Sequence, residues 1–356
     1  VIIAHVAVVE EKISFSGNRF LGELFYSALP MFIVVSGYFH RTGRSFWENI
    51  ERRVVPILVA FVTGVVILTV VMFFYLQFIG YDLSFSKMFK DMLSMLIGKG
   101  AFMQIPEGNH TIGWPLGEYD VSLQMYYLQI LVVGYTIFYA IVDRVIDDTK
   151  KTISAVIVLI SISALYMEFV HVQLPFFAQL GPIVAAFLLI GSLFGKYRLA
   201  EKIEARENKK RFWIVFALMG VFASAMILLF PTRMALIYSQ FGDYGGLSAF
   251  TFVLVSLSSG VFLYFVAALA SKIPYVSGFM CSAGRYSYTL FVLHMFVAKL
   301  LISPFAHIGT ASWLPIQAVW QGIILAIATI AVIMGASYLI YKLWDIGPKV
   351  LRSKKA

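Results

Sequence analysis

The chain has 356 residues, of which 60% are hydrophobic and 13% charged, with a formal net charge of +9 and one cysteine. At a mean hydropathy of +0.84 it is far too apolar for a soluble domain of this length, which makes it a polytopic membrane protein. The lone Cys281 excludes an internal disulfide and a thiolate set for zinc or iron–sulfur, and the positive balance belongs to membrane topology rather than to nucleic acid.

Nine stretches reach the roughly 20 mainly apolar residues that a bilayer-crossing helix needs, and a shorter apolar stretch opens the chain, predicting an all-α bundle of about ten transmembrane helices. The first occupies residues 1–9 and carries His5; it opens inside apolar sequence, so its beginning is expected upstream of Val1. Residues 20–39 form the second and end on Ser36-Gly37-Tyr38, where the small pair permits close helix approach. The third, 54–79, is entered through Phe46-Trp47-Glu48-Asn49-Ile50-Glu51-Arg52-Arg53-Val54-Val55-Pro56. The connection at 80–121 is the longest on its side. It holds a mixed stretch at 86–97, suited to an amphipathic helix on the membrane, and then Trp114, Glu118, Tyr119 and Asp120. Spans at 122–142, 152–171 and 175–195 follow, then a charge-dense basic connection at 196–211. Spans at 212–230, 247–270, 286–303 and 316–343 complete the series, and the whole chain, 1–356, reads as one membrane domain.

The basic residues divide unevenly between the two sets of connections. One set holds Arg41, Arg44, Arg52, Arg53, Arg144, Lys150, Lys151, the run at 196–211, Lys272 and the tail from Lys342 to Lys355. The other holds only Lys12, Arg19, Lys87, Lys90, Lys99 and Arg233. Positively charged connections stay in the cytosol, so both termini are expected there.

Ionisable side chains at membrane depth are costly and usually line a cavity that has a function. His294 lies nine residues after Arg285, roughly 13 Å further along a helix and near the middle of the hydrocarbon core; His5 is the other intramembrane histidine. A plainer role for His294 is an interhelical hydrogen bond. Arg52 and Arg53 suit the phosphates of a nucleotide-bearing cofactor, though adjacent arginines at a membrane edge also serve simply as topology signals. His40, His110, His171 and His307 sit at span ends or in connections and need no special role.

These motifs, in order, resemble the acyltransferase-3 family of integral membrane acyltransferases. The resemblance rests on His5 in the first helix, Phe32-Ile33-Val34-Val35-Ser36-Gly37-Tyr38, Arg52-Arg53-Val54-Val55-Pro56, Phe187 to Gly195, and Ser287-Tyr288-Thr289-Leu290-Phe291-Val292-Leu293-His294. Phe291 stands where the family often has tyrosine, and the aromatic opening of the fourth span is reduced to Met125-Tyr126-Tyr127-Leu128.

The resemblance implies transfer of an acyl group, acetyl by default, from cytosolic acyl-CoA as co-substrate to a hydroxyl of an extracytoplasmic or lipid-linked glycan. It implies no tightly bound cofactor and no metal. It assigns His5 as base or acyl carrier, with His294 as its partner, and Arg52, Arg53, Arg285 and Ser36 to the acyl-CoA. Arg285 is equally a snorkelling anchor. Glu118, Asp120 and Trp114 are candidates for the acceptor sugar, Trp114 being otherwise an interfacial belt residue. The rival is a secondary transporter or flippase for a lipid-linked glycan, which shares the span count and buried histidines; the internal repeats usual in transporters are not evident.

Overall fold

The computed structural model describes residues 30–78, 84–97, 126–170, 174–205, 209–229 and 247–275, with a few single positions besides, and every element among them is helical. The expected spans at 1–9, 286–303 and 316–343, and most of the connection at 80–121, lie outside the described residues. Six of the described helices are long and apolar enough to cross a membrane. They correspond to the third through eighth spans expected from the sequence, and the protein is an integral, multi-pass membrane protein.

In chain order the elements are α1 (Met31–Tyr38), α2 (Phe46–Asn49), a π-helical turn (Ile50–Val54), α3 (Val55–Phe78) and α4 (Phe85–Leu96). Then come α5 (Tyr126–Val145), α6 (Thr149–Phe169), a 3-10 segment (Pro175–Leu180) and α7 (Gly181–Lys196). α8 (Leu199–Glu204), α9 (Lys209–Leu229) and α10 (Leu247–Ala270) follow. The chain divides into two compact units, one of Ser27–Phe262 and one of Val1–Tyr26 with Leu263–Ala356. In the second, the described backbone is the end of α10 and the turn after it, closed by Ser271 N–H to the Ala267 carbonyl at 2.8 Å.

The first unit is built around α7. Its residues Gly181-Pro182-Ile183-Val184-Ala185-Ala186-Phe187-Leu188-Leu189 are all buried, because α1, α5 and α6 pack around it. A helix apolar on every side has no solvent face to keep, so it takes the centre. Pro182 sits in its first turn, where the missing N–H costs nothing. α3 shows the opposite pattern: Val55, Val59, Val62, Val66, Val70 and Phe74 recur on an exposed apolar stripe within the unit.

Two helices approach so closely that only glycine fits between them. A Cβ on Gly37 of α1 would lie 2.1 Å from the Leu188 carbonyl oxygen, and one on Gly191 of α7 would lie 2.0 Å from that of Val34. Ser192 Oγ donates to the Gly37 carbonyl at 3.0 Å across the same seam. Small residues let backbones touch, which replaces the hydrophobic drive that lipid removes.

The mixed stretch expected at 86–97 is α4. It buries Met88 and Met95 and exposes Phe85, Phe89 and Leu93, four residues apart on one face. Its C-terminal carbonyls, unpaired within the helix itself, accept from the Gln129 side-chain amide (Met95 O, 2.9 Å) and from Phe176 N–H (Ile97 O, 3.3 Å). The sixth span differs from expectation at its start. Pro175–Leu180 is a tight 3-10 segment with Phe176 and Phe177 at φ of 58° and 52°, and the α-helix proper begins at Gly181. Left-handed backbone is costly for phenylalanine. Burial of Phe177 and the hydrogen bond from Ser163 Oγ to the Gln179 carbonyl at 2.8 Å hold it.

At the opposite end of α7, Lys196 Nζ donates to the carbonyls of Ile146 and Asp147 at 2.9 and 2.6 Å, just past the C-terminus of α5, a favourable place for a cation. The Tyr38 hydroxyl donates to the Glu201 carboxylate on α8, which holds that carboxyl below its ordinary value. The charge-dense run at 196–211 is thus partly helical and tied to the ends of α1 and α5. Those ties bring the end of α1, the end of α5 and the basic residues from Lys196 to Lys202 to one end of the unit.

Candidate functional site

Three elements converge at this basic end: the exit from α1, the entry to α3, and the last two turns of α5. The entry is shaped locally. Ser45 caps α2, accepting from Glu48 N–H at 3.2 Å, and the Ser-x-x-Glu spacing is that of a capping box. The buried Asn49 amide donates to the Arg44 carbonyl at 3.3 Å, binding the preceding loop to the helix. Residues Ile50–Val54 then widen into a π turn, with Val55 N–H bonded to the Ile50 carbonyl. The cause lies in Pro56, which has no N–H for the Arg52 carbonyl and whose ring crowds it. π turns of this kind collect at functional sites.

Arg52 and Arg53, adjacent in the chain, face different surroundings. Arg52 pairs with Glu48 at 3.2 Å, and Glu48 also lies 3.9 Å from Arg44. Arg53 has no ion pair within 4 Å among the described residues. Its charge acts instead on His40, Tyr135 and Tyr139. Tyr135, Tyr139 and Asp143 stand four residues apart and so share one face of α5, and the two tyrosine rings stack at 5.8 Å. Ser36 of α1 lies beside Tyr135. A polar track therefore climbs from Asp143 past Tyr139 and Tyr135 to Ser36, with Arg53 beside it.

His40 closes the lower end of the track. Its ring is perpendicular to Phe138 with centroids 5.1 Å apart, and lies 5.9 Å from Tyr139. Neither ring nitrogen finds a hydrogen-bond partner among the described residues, and Nε2 is closed off from solvent. An orphaned buried polar atom costs about 1–3 kcal/mol. Burial pushes the imidazole below its ordinary 6.5; Asp143 pulls it upward, while Arg44 and Arg53 lower it further.

Of the residues singled out from the sequence, Ser36 and Arg53 each lie near Tyr135, and Arg52 turns to Glu48. His5, His294, Arg285, Glu118, Asp120 and Trp114 lie outside the described residues. Sequence reasoning missed His40, Tyr135, Tyr139 and Asp143. The i, i+4, i+8 spacing of the last three on an apolar helix was a usable signal; His40 joins them only through tertiary packing. Among the described residues no group of three or more His, Cys, Asp or Glu gathers as a metal site. The arrangement offers guanidinium and hydroxyl donors around an unpaired imidazole, a set suited to an anion.

The family model described as an acyltransferase domain matches residues 1–342. The chain belongs to the acyltransferase-3 family. No curated protein and no solved structure matches it. The matched range takes in every described helix of this membrane acyltransferase, so the polar track is part of its family domain. Family membership leaves the transporter or flippase reading without support.

Proposed function

We propose that this acyltransferase moves an acetyl group from acetyl-CoA, bound at the basic end, to a hydroxyl of an extracytoplasmic or lipid-linked glycan, an O-acetylation that modifies a cell-envelope polysaccharide. The observation that carries the reading is Arg53, a guanidinium without an ion pair among the described residues, beside a tyrosine track in a chain of this family. Arginine grips phosphate oxygens bidentately, and CoA brings three phosphates. Arg285 belongs to the same donor role in this reading, and Glu118, Asp120 and Trp114 to the acceptor sugar.

His5 is the catalytic residue, with His294 orienting or supporting it. As a base, its neutral imidazole takes the proton of the acceptor hydroxyl while the oxygen attacks the thioester carbonyl. The carbon–sulfur bond breaks, and the proton passes to the departing CoA thiolate. As an acyl carrier, the imidazole attacks the thioester first, the carbon–sulfur bond breaks to release the CoA thiolate, and the hydroxyl then takes the acetyl group from the imidazole while its proton passes to the thiolate. Desolvation favours the neutral form that either route needs.

The test is acetyl transfer or acetyl-CoA hydrolysis by the purified protein in nanodiscs. His5→Ala is expected to abolish turnover with the protein still folded, and His294→Ala to lower it less. Wild-type rates in the His5→Ala protein overturn the assignment.

A further inference from the structure

The proposed reading assigns no task to His40, yet its surroundings are unusual for a structural histidine. The ring is half-buried against Phe138 and Tyr139, and both of its nitrogens lack partners among the described residues. A histidine kept for packing would normally satisfy at least the nitrogen it buries. Tyr139 of α5 touches the ring, and the charges that act on it are those of Arg44 from the loop before α2, Arg53 from the π turn and Asp143 from α5. Glu48 neutralises Arg52 and, less closely, Arg44, while Arg53 has no ion pair among the described residues. Two guanidinium groups thus oppose a charge on the imidazole, and one carboxylate favours it.

We propose that His40, Arg53 and Arg44 together form a phosphate-ester site in which the imidazole binds as its protonated form, so that each phosphate bound carries a proton into the protein.

An anion between the guanidinium groups reverses the balance, because it offsets their repulsion of the imidazolium and accepts a hydrogen bond from the ring's accessible nitrogen. The charged ring would lie with its centroid 5.1 and 5.9 Å from those of Phe138 and Tyr139, within the roughly 6 Å over which aromatic rings attract a cation. In the empty site burial and the arginines favour the neutral imidazole over the pull of Asp143, and occupancy shifts the balance toward the charged one. The sign follows. Phosphate binds most tightly at low pH, and affinity falls as pH rises from the empty-site pKa to the occupied-site pKa, by up to about tenfold per unit. This inference rests on the donor reading for the identity of the phosphate. The chemistry itself is shared with a phospholipid headgroup at the same edge.

The experiment uses the full chain in phosphatidylcholine nanodiscs, titrated with CoA by calorimetry at pH 6, 7 and 8 in two buffers of different ionisation enthalpy. The monoester of CoA titrates near pH 6 in every protein tested, so the difference between wild type and His40→Gln isolates the imidazole. Wild type is expected to take up more protons per CoA than H40Q and to lose three- to tenfold more affinity between pH 6 and 8. His40→Asn, of different length, should behave as H40Q does. Equal proton uptake by wild type and both variants overturns the proposal while leaving CoA binding intact. A second arm replaces part of the lipid with phosphatidylglycerol and omits CoA. A pH-dependent stabilisation present in wild type and absent from H40Q, with no CoA binding, supports the phosphate site and sinks the donor reading. No wild-type-specific pH effect in either arm overturns the proposal.

Discussion

Arg52 and Arg53 are neighbours in the chain, but the π turn sends them to different partners, and their replacements should therefore differ. Arg52 shares Glu48 in an exposed pair, and such pairs contribute about 0–1 kcal/mol. Arg53 has only the polar track. If it holds a CoA phosphate, a charge-assisted hydrogen bond of about 1.5–3 kcal/mol is lost with it. Arg53→Ala is expected to weaken CoA binding roughly tenfold to a hundredfold, and Arg52→Ala by less than about fivefold, both read by calorimetry. Equal effects would show that the divergence of the two side chains has no bearing on the donor. His40 gives a second, independent expectation in the empty protein. Its folded-state pKa lies below 6.5 because of burial, so the unfolded chain binds this proton more readily. The stability it contributes is complete above about pH 6.5 and is lost as pH falls through the folded value. Melting of the ligand-free protein should therefore decline more steeply below pH 6.5 in wild type than in His40→Gln, and parallel melting curves would contradict the assigned burial.

At the scale of elements, the seam between α1 and α7 governs whether the track exists at all, because Gly37 meets α7 while its neighbour Ser36 reaches Tyr135. A methyl group on Gly37 would collide with a backbone carbonyl at 2.1 Å, so the helices must separate. Gly37→Ala is expected to cost about 1–3 kcal/mol in thermal or denaturant unfolding, and Gly191→Ala a similar amount. Unchanged stability in both would mean that the seam is looser than described. The helices themselves were legible: runs of some 20 apolar residues mark the third to eighth spans to within several residues of the described elements. Ser36-Gly37 also announced its close contact. The π turn was less legible, since nothing in Ile50-Glu51-Arg52-Arg53-Val54 asks for it, and it arises from how the backbone accommodates Pro56 one turn later. The 3-10 entry to α7 was hidden for a related reason. Phenylalanine resists positive φ, so Phe176 and Phe177 adopt it only because tertiary packing and the Gln179 hydrogen bonds compensate. His40 combines both difficulties: its place beside Tyr139 depends on a loop whose path is set by Asn49.

At the scale of the whole molecule, the donor and acceptor readings depend on which side the basic end faces, and the single native cysteine can report it. Cys281 is exposed and lies in the connection between the expected spans at 247–270 and 286–303, which also carries Lys272. The expected topology, ten crossings with both termini in the cytosol, would make that connection cytosolic, on the same side as Arg53 and His40. A membrane-impermeant maleimide added to intact cells should therefore leave Cys281 unlabelled and should label it once the membrane is opened. In a Cys281→Ser background, cysteine introduced at Lys354 should follow the same pattern, whereas cysteine at Lys99, in the long connection at 80–121, should react in intact cells. The three positions test different parts of the argument. Lys99 and Cys281 are separated by the five expected crossings from span four to span eight, so opposite labelling requires an odd number between them. Cys281 and Lys354 are separated by two, so like labelling requires an even one. Labelling of Cys281 from outside would place the arginine track away from the cytosolic acyl-CoA pool, and the donor assignment of Arg53 would fall with it even if the family chemistry stood.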